Sequence, residues 1–156
     1  MKHLSLFAAT GCLLLMAYGA QAQQQTRPST VSSVEYLKAD TTSSLPFSDA
    51  VRVGNMLYLS GVIGVNDSGK VVPGGIETET KQIMENVRRI LERNGSSMDR
   101  VLKCTVMLAD IKEWPTFNAV YRTYFSQKRL PARSAFGTTG LSLGARVEIE
   151  FWATVE

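Results

Sequence analysis

Arg133, Glu148 and Glu150 carry the side chains best suited to hold and convert a small acid. Arg133 follows Leu130-Pro131-Ala132, where Pro131 fixes the backbone that approaches it. Its planar guanidinium can grip a carboxylate through two parallel charge-assisted hydrogen bonds. The competing structural role is a surface arginine, or an ion pair with Glu148 or Glu150. Those glutamates are two residues apart, which on a strand puts both on one face. Paired carboxylates can divide into acid and base where their surroundings differ; otherwise they make a solvated face. Ser60-Gly61 ends an apolar run and offers a hydroxyl and exposed backbone to a ligand, or simply a turn. Cys104 lies mid-strand near Val106 and reads as a packed residue rather than a nucleophile. Tyr121 and Tyr124 fall on an apolar helix face and read as core. Gly137, Gly140 and Gly144 precede neither a helix nor a Lys-Ser/Thr pair, so they form no phosphate loop.

The composition narrows the chemistry further. With 156 residues, 44% hydrophobic and 20% charged, the chain has the make-up of one globular domain. Its 17 basic and 14 acidic residues are interspersed, for a net charge of +3, and no polybasic arm points to nucleic acid. Residues 1–22 read as a secretory signal peptide: Lys2 and His3, an apolar stretch from Leu4 to Ala17, then Ala20-Gln21-Ala22 as the cleavage site. The apolar stretch is shorter than the ~20 residues of a membrane span, which argues against an uncleaved anchor. A lipoprotein signal at Cys12 fits less well, because the strongest apolar run follows that cysteine. The expectation is a periplasmic or secreted protein without stable membrane association after cleavage. Cleavage removes the chain's one histidine and one of its two cysteines. The mature chain then has no intrachain disulfide, no Ser-His-Asp or Cys-His centre and none of the usual zinc sites. Acid–base work falls to carboxylates, Tyr, Lys, Cys104 or held water.

The elements that must position these groups follow from hydrophobic periodicity. Residues 23–33 read as a flexible lead-in, and 34–156 as one unit. Val34 to Leu37 reads as a strand, and Ala50–Val53 with Met56–Ser60 as a hairpin around Gly54-Asn55. Apolar residues at Ile76, Ile83, Met84, Val87, Ile90 and Leu91 predict a helix over 76–94 that stops at Asn94-Gly95. Val101–Leu108 reads as a strand, 113–126 as a second helix with Pro115 in its first turn, and Arg133–Phe136 as a short strand. Strict alternation from Val147 to Val155 marks the last strand. The order β-β-β-α-β-α-β-β predicts a mixed α+β two-layer fold, a six-stranded sheet with two helices packed on one face. The other face, carrying Glu148, Glu150 and Trp152, mixes aromatic and charged groups and suits a partner subunit better than open water, so an oligomer is expected.

From Pro46 to Glu156 the chain resembles the reactive intermediate deaminase (Rid, formerly YjgF) family. The matching segments are PFSDAVRVGNMLYLSG (46–61), QIMENVRRILERNG, VLKCTVMLADIKEWPTFNAVYRTYF, PARSAFG and ARVEIE. The resemblance implies a chorismate-mutase-like fold and a homotrimer with ligand clefts between subunits. Active members hydrolyse enamines and imines to 2-keto acids and ammonia without cofactor or metal. By position, the resemblance has Arg133 grip the substrate carboxylate and Glu148 orient or activate water, with Ser60 and Asn118 lining the cleft. Phe47 stands where active members commonly carry tyrosine, Ala135 where a cysteine is often found, and Val62 in place of glutamine after Ser-Gly. The expected function is therefore an exported imine or enamine deaminase acting on a small imino acid. The alternative is a non-catalytic binder of small carboxylates, or a protein-interaction module, on the same trimer. Ribonuclease activity ranks third, because histidines and a basic stripe are missing.

Overall fold

Among the described residues the fold has seven strands and two α-helices, and two of the strands decide the geometry of the site. The computed structural model describes residues 33–42 and 44–156; the expected leader at 1–22 and almost all of the lead-in lie outside them. The strands are β1 (Val34–Leu37), β2 (Ala50–Val53), β3 (Met56–Leu59), β4 (Val62–Ile63), β5 (Val101–Leu108), β6 (Ala132–Gly137) and β7 (Val147–Thr154). The helices are α1 (Gly75–Arg93) and α2 (Trp114–Tyr121). The sheet runs β1-β2-β3-β7-β5-β6, and β4 pairs with β7 beside β3. All pairings are antiparallel except β5 with β6, which are parallel. The mixed sheet with two helices agrees with expectation, except that β4 adds a seventh strand. This two-residue strand follows the break at Ser60-Gly61 and is too short to show a period in sequence.

β7 is the central strand of this arrangement. Val147, Ile149, Phe151 and Ala153 are fully buried, while Glu148, Glu150, Trp152 and Thr154 between them are half-buried. The buried set joins Leu57 and Leu59 of β3, Cys104, Val106 and Leu108 of β5, and Ile83, Met84, Val87 and Leu91 of α1 in one core. The apolar stripe read from sequence is thus the buried face of α1. The helix ends where Asn94 caps it, its side-chain amide donating to the Ile90 carbonyl at 2.8 Å.

The second helix is shorter than 113–126. An α-helix covers only Trp114–Tyr121, between single 3-10 turns at Ile111–Glu113 and Arg122–Tyr124. Thr123 contributes to the change, donating its hydroxyl to the Val120 carbonyl at 2.7 Å in competition with the backbone. β6 extends one residue beyond each end of the expected 133–136.

Gly64, next to β4, lets α1 lie close against the sheet. A Cβ there would fall 2.8 Å from both the Cα and the carbonyl oxygen of Glu79. Since backbone atoms cannot step aside, Gly64→Ala must push helix and sheet apart. We expect a loss of about 1–3 kcal/mol, read from the urea midpoint at unchanged m-value.

Candidate active site

Parallel pairing carries Arg133 to the helix side of the sheet. Arg133 is opposite Cys104 and Ala135 opposite Val106 in the β5–β6 register, and Cys104 and Val106 face the core. As β6 is the edge strand, the Arg133 side chain reaches over the rim toward α2. Its guanidinium carbon lies 4.6 Å from the ring centroid of Trp114 and 4.5 Å from that of Tyr121, with Phe117 at 5.9 Å. Cation–π contacts of this kind hold a guanidinium by its faces and leave its N–H edge for a planar anion. Among the described residues, no ion pair engages Arg133, so the structural alternative of a bridge to Glu148 or Glu150 is not what forms. Asn118, half-buried, follows Trp114 by four residues and precedes Tyr121 by three, so it shares their helix face.

Behind the arginine, the Cys104 Sγ and Tyr121 Oη atoms share a hydrogen bond of 3.0 Å. Burial pushes the Cys104 thiol above its ordinary range, against the opposing pull of this hydrogen bond and of the Arg133 charge. Burial likewise raises the Tyr121 phenol, and the neighbouring sulfur adds to the shift. Both groups are therefore neutral at physiological pH and serve as a fixed floor. Tyr121 and Tyr124 pack on the core, as the sequence suggested.

Glu148 stands on the opposite face of the sheet. It alternates with buried Val147 and Ile149 and is paired with Met107 of β5 and Ile63 of β4. Its carboxylate packs on the backbone at Gly61: a Cβ at that position would sit 2.0 Å from Oε1. Glu150 accepts a 2.8 Å hydrogen bond from Trp152 Nε1, and Trp152 packs edge-on against Tyr58 at 5.2 Å. The two glutamates thus differ: Glu150 is engaged by an indole, and Glu148 lies at a strand break. Ser60 donates its hydroxyl to the Ser48 carbonyl at 2.7 Å, which ties down the segment bearing half-exposed Phe47. Phe47, Ser60, Gly61 and Val62 line one cavity of about 740 Å³.

The structure therefore places Arg133, Asn118 and Ala135 on the helix side of the sheet and Glu148 on the opposite face, against Gly61; Phe47 and Ser60 line a cavity that they share with Gly61 and with Asn86, Arg89 and Ile90 of α1. It does not bring Arg133 and Glu148 together within one chain. A two-residue strand period separates them, with β5 between their strands. Trp114 is a site residue that the sequence did not single out. Its spacing of seven residues from Tyr121, two helical turns on one face, was the available signal for a stacking platform.

The family model described as Endoribonuclease L-PSP matches residues 38–155. The chain belongs to the Rid/YjgF (L-PSP) family. Among its Rid relatives, a 2-iminobutanoate/2-iminopropanoate deaminase of Mus musculus is 45% identical over 106 residues, 67% of this chain and 78% of that protein. Reactive Intermediate Deaminase A, chloroplastic, of Arabidopsis thaliana is 39% identical over 111 residues, 70% of this chain and 59% of that one. Among solved structures, the Rid protein YyfA of Yersinia pestis superposes with a TM-score of 0.74 at 32% identity, covering 79% of this chain and all of that one.

The raised thiol gives this Rid chain a chemical signature. In the native protein at about pH 8, Cys104 should be alkylated by iodoacetamide at least ~100-fold more slowly than in urea, because little thiolate forms and access requires opening. Peptide mapping at Cys104 measures this. Equal rates would contradict the buried Cys104–Tyr121 floor.

Proposed function

We propose that the chain is an imine and enamine deaminase whose site is completed only when two copies meet. One copy supplies Arg133, Asn118 and Ala135; its neighbour supplies Phe47, Ser60 and Glu148. The observation that carries this reading is the aromatic-stacked Arg133 guanidinium, which no carboxylate of the described residues neutralises. An arginine stacked on aromatic rings, with no carboxylate partner among the described residues, is suited to an external carboxylate. The opposite placement of Glu148 favours an oligomer, because a neighbouring copy must deliver the water-handling carboxylate. A ring of three, as the family resemblance implies, repeats one such contact at each junction. The half-buried Tyr58–Trp152 face is suited to cover by that contact.

The chemistry asks little of the protein. Arg133 holds the carboxylate of a 2-imino acid; an enamine substrate first tautomerises to the imine. Water held by Glu148 adds its oxygen to the electrophilic C=N carbon while Glu148 takes the proton. The imine reacts in its protonated form, so the addition gives a neutral carbinolamine; Glu148 then returns the proton to nitrogen, the C–N bond breaks with loss of ammonia, and the hydroxyl proton passes to Glu148 as the carbonyl of the keto acid forms. Positioning and one carboxylate suffice, because the carbon is already activated. Phe47, lacking a hydroxyl, favours the second reading, a site that holds a keto acid and turns over no imine. Ribonuclease chemistry finds less support, since the only histidine is His3 and the charges are interspersed. The leader read at residues 1–22 further suggests that the mature protein acts in the periplasm or outside the cell; N-terminal sequencing of secreted protein tests that.

The assay generates 2-imino acids with an amino-acid oxidase and traps the remainder with semicarbazide. Arg133→Ala should raise KM by roughly 10- to 100-fold, the worth of a charged hydrogen-bond pair, with the oligomer intact. Glu148→Gln should lower kcat while leaving keto-acid affinity nearly unchanged. Gly61→Ala provides a subtler test, since its Cβ displaces only the flexible end of Glu148. Turnover should fall about tenfold or more with an unchanged melting temperature. Full activity in Arg133→Ala would overturn the carboxylate assignment.

A further inference from the structure

The cavity that opens at Ser60 and Gly61 is far larger than a three- or four-carbon acid requires. Its volume is about 740 Å³, within the ~300–1,000 Å³ of clefts that hold drug-sized ligands. Gly61, against which the Glu148 carboxylate packs, is part of its lining, and the cavity runs between the segment preceding β2 and the outer side of α1. Its apolar wall includes Leu45, Phe47, Val62, Ile90 and Leu143. The charges on that wall are already matched: Arg89 bonds Asp67 at 3.3 Å and Asn86 at 2.5 Å, and Arg93 lies 4.0 Å from Asp49. With its cations engaged internally, the wall offers little to a charged substituent and much to an apolar one. Leu143 strengthens the point. Among the described residues it is the one non-glycine at positive φ, 55°, and it is 69% exposed. An exposed leucine held in the left-handed region, where Gly or Asn is at ease, indicates that its side chain is wanted at this rim.

We infer that this cavity is a specificity subsite that receives the side chain of the imino acid, and that it selects large apolar substituents over methyl and ethyl. The inference rests on the deaminase reading of the same site and deepens it. It also separates this chain from the Mus musculus relative, whose name specifies acids of three and four carbons. Phe47 and Val62 then act as wall rather than as hydrogen-bonding partners, which accounts for the loss of polarity at both positions.

Two parallel measurements on the full oligomer test it. In the trapping assay, leucine- and phenylalanine-derived imines should exceed the alanine-derived imine in kcat/KM by at least tenfold, at about fourfold per buried methylene. By calorimetry, 4-methyl-2-oxopentanoate should bind at least tenfold more tightly than pyruvate. Leu143→Asn retains a residue tolerant of the left-handed backbone at an exposed position, so folding is not at risk. It should lower both ratios severalfold and leave the alanine-derived rate unchanged; Val62→Gln should act in the same direction. Equal efficiency and affinity across side chains, or ratios unmoved by Leu143→Asn, would overturn the subsite while leaving the deaminase reading intact. Tight, side-chain-selective keto-acid binding without turnover of any imine would overturn the deaminase reading and uphold the subsite. Failure of every keto acid to bind would overturn both.

Discussion

Successive side chains of a β-strand point to opposite faces, and the placement of every candidate group depends on that constraint. In β7 the buried residues Val147, Ile149, Phe151 and Ala153 take the helix side, so Glu148 and Glu150 have no choice but the other. In β6 the parallel register to β5 assigns Arg133 and Ala135 to the helix side with Cys104 and Val106. Slipping either strand by one residue would invert its whole pattern and expose the core. The separation of Arg133 from Glu148 is thus locked by hydrophobic burial distributed over the sheet, and no local rearrangement of loops can undo it.

Each half of the site is held by its own surroundings. On the helix side, a stacked guanidinium is backed by a thiol and a phenol that burial keeps neutral, so the arginine faces no competing anion from below. On the other side, the carboxylate rests against a glycine whose missing Cβ is the space it uses, and Ser60 pins the chain that carries Phe47. Further out, Arg146 connects the regions. Its backbone N–H donates to the buried Glu79 carboxylate at 2.8 Å, and its guanidinium grips Glu113, immediately before Trp114. This exposed pair contributes little stability by itself, but it orients the turn from which Trp114 reaches Arg133.

Much of this was legible in the sequence because periodicity reports burial directly. The alternation of β7 and the apolar stripe of α1 identified both elements and their faces, and the Gly54-Asn55 turn identified the hairpin. Arg133 and Glu148 were visible as chemistry but not as a pair on opposite faces, because β6 inserts parallel at the edge beside β5. That is a tertiary choice with no local signature. β4 was missed because two residues cannot display a period. The Trp114 platform was hidden by its own apolarity: aromatic residues at helical spacing read equally well as core. The cavity was invisible for a different reason, since Leu45, Val62, Ile90 and Leu143 converge on it from four separate stretches of chain.

The central claim, that one site draws on two copies, is tested most directly by complementation. Arg133→Ala and Glu148→Gln are each purified, assayed at a substrate concentration well below the Arg133→Ala KM where both turn over only a small fraction of the wild-type rate, then mixed, dissociated and reassembled. In a closed ring each junction joins one copy's arginine to its neighbour's glutamate. Random reassembly should therefore restore about a quarter of wild-type activity per site. A mixture that stays as impaired as its parents, with exchange of subunits verified by mass spectrometry, would contradict the account.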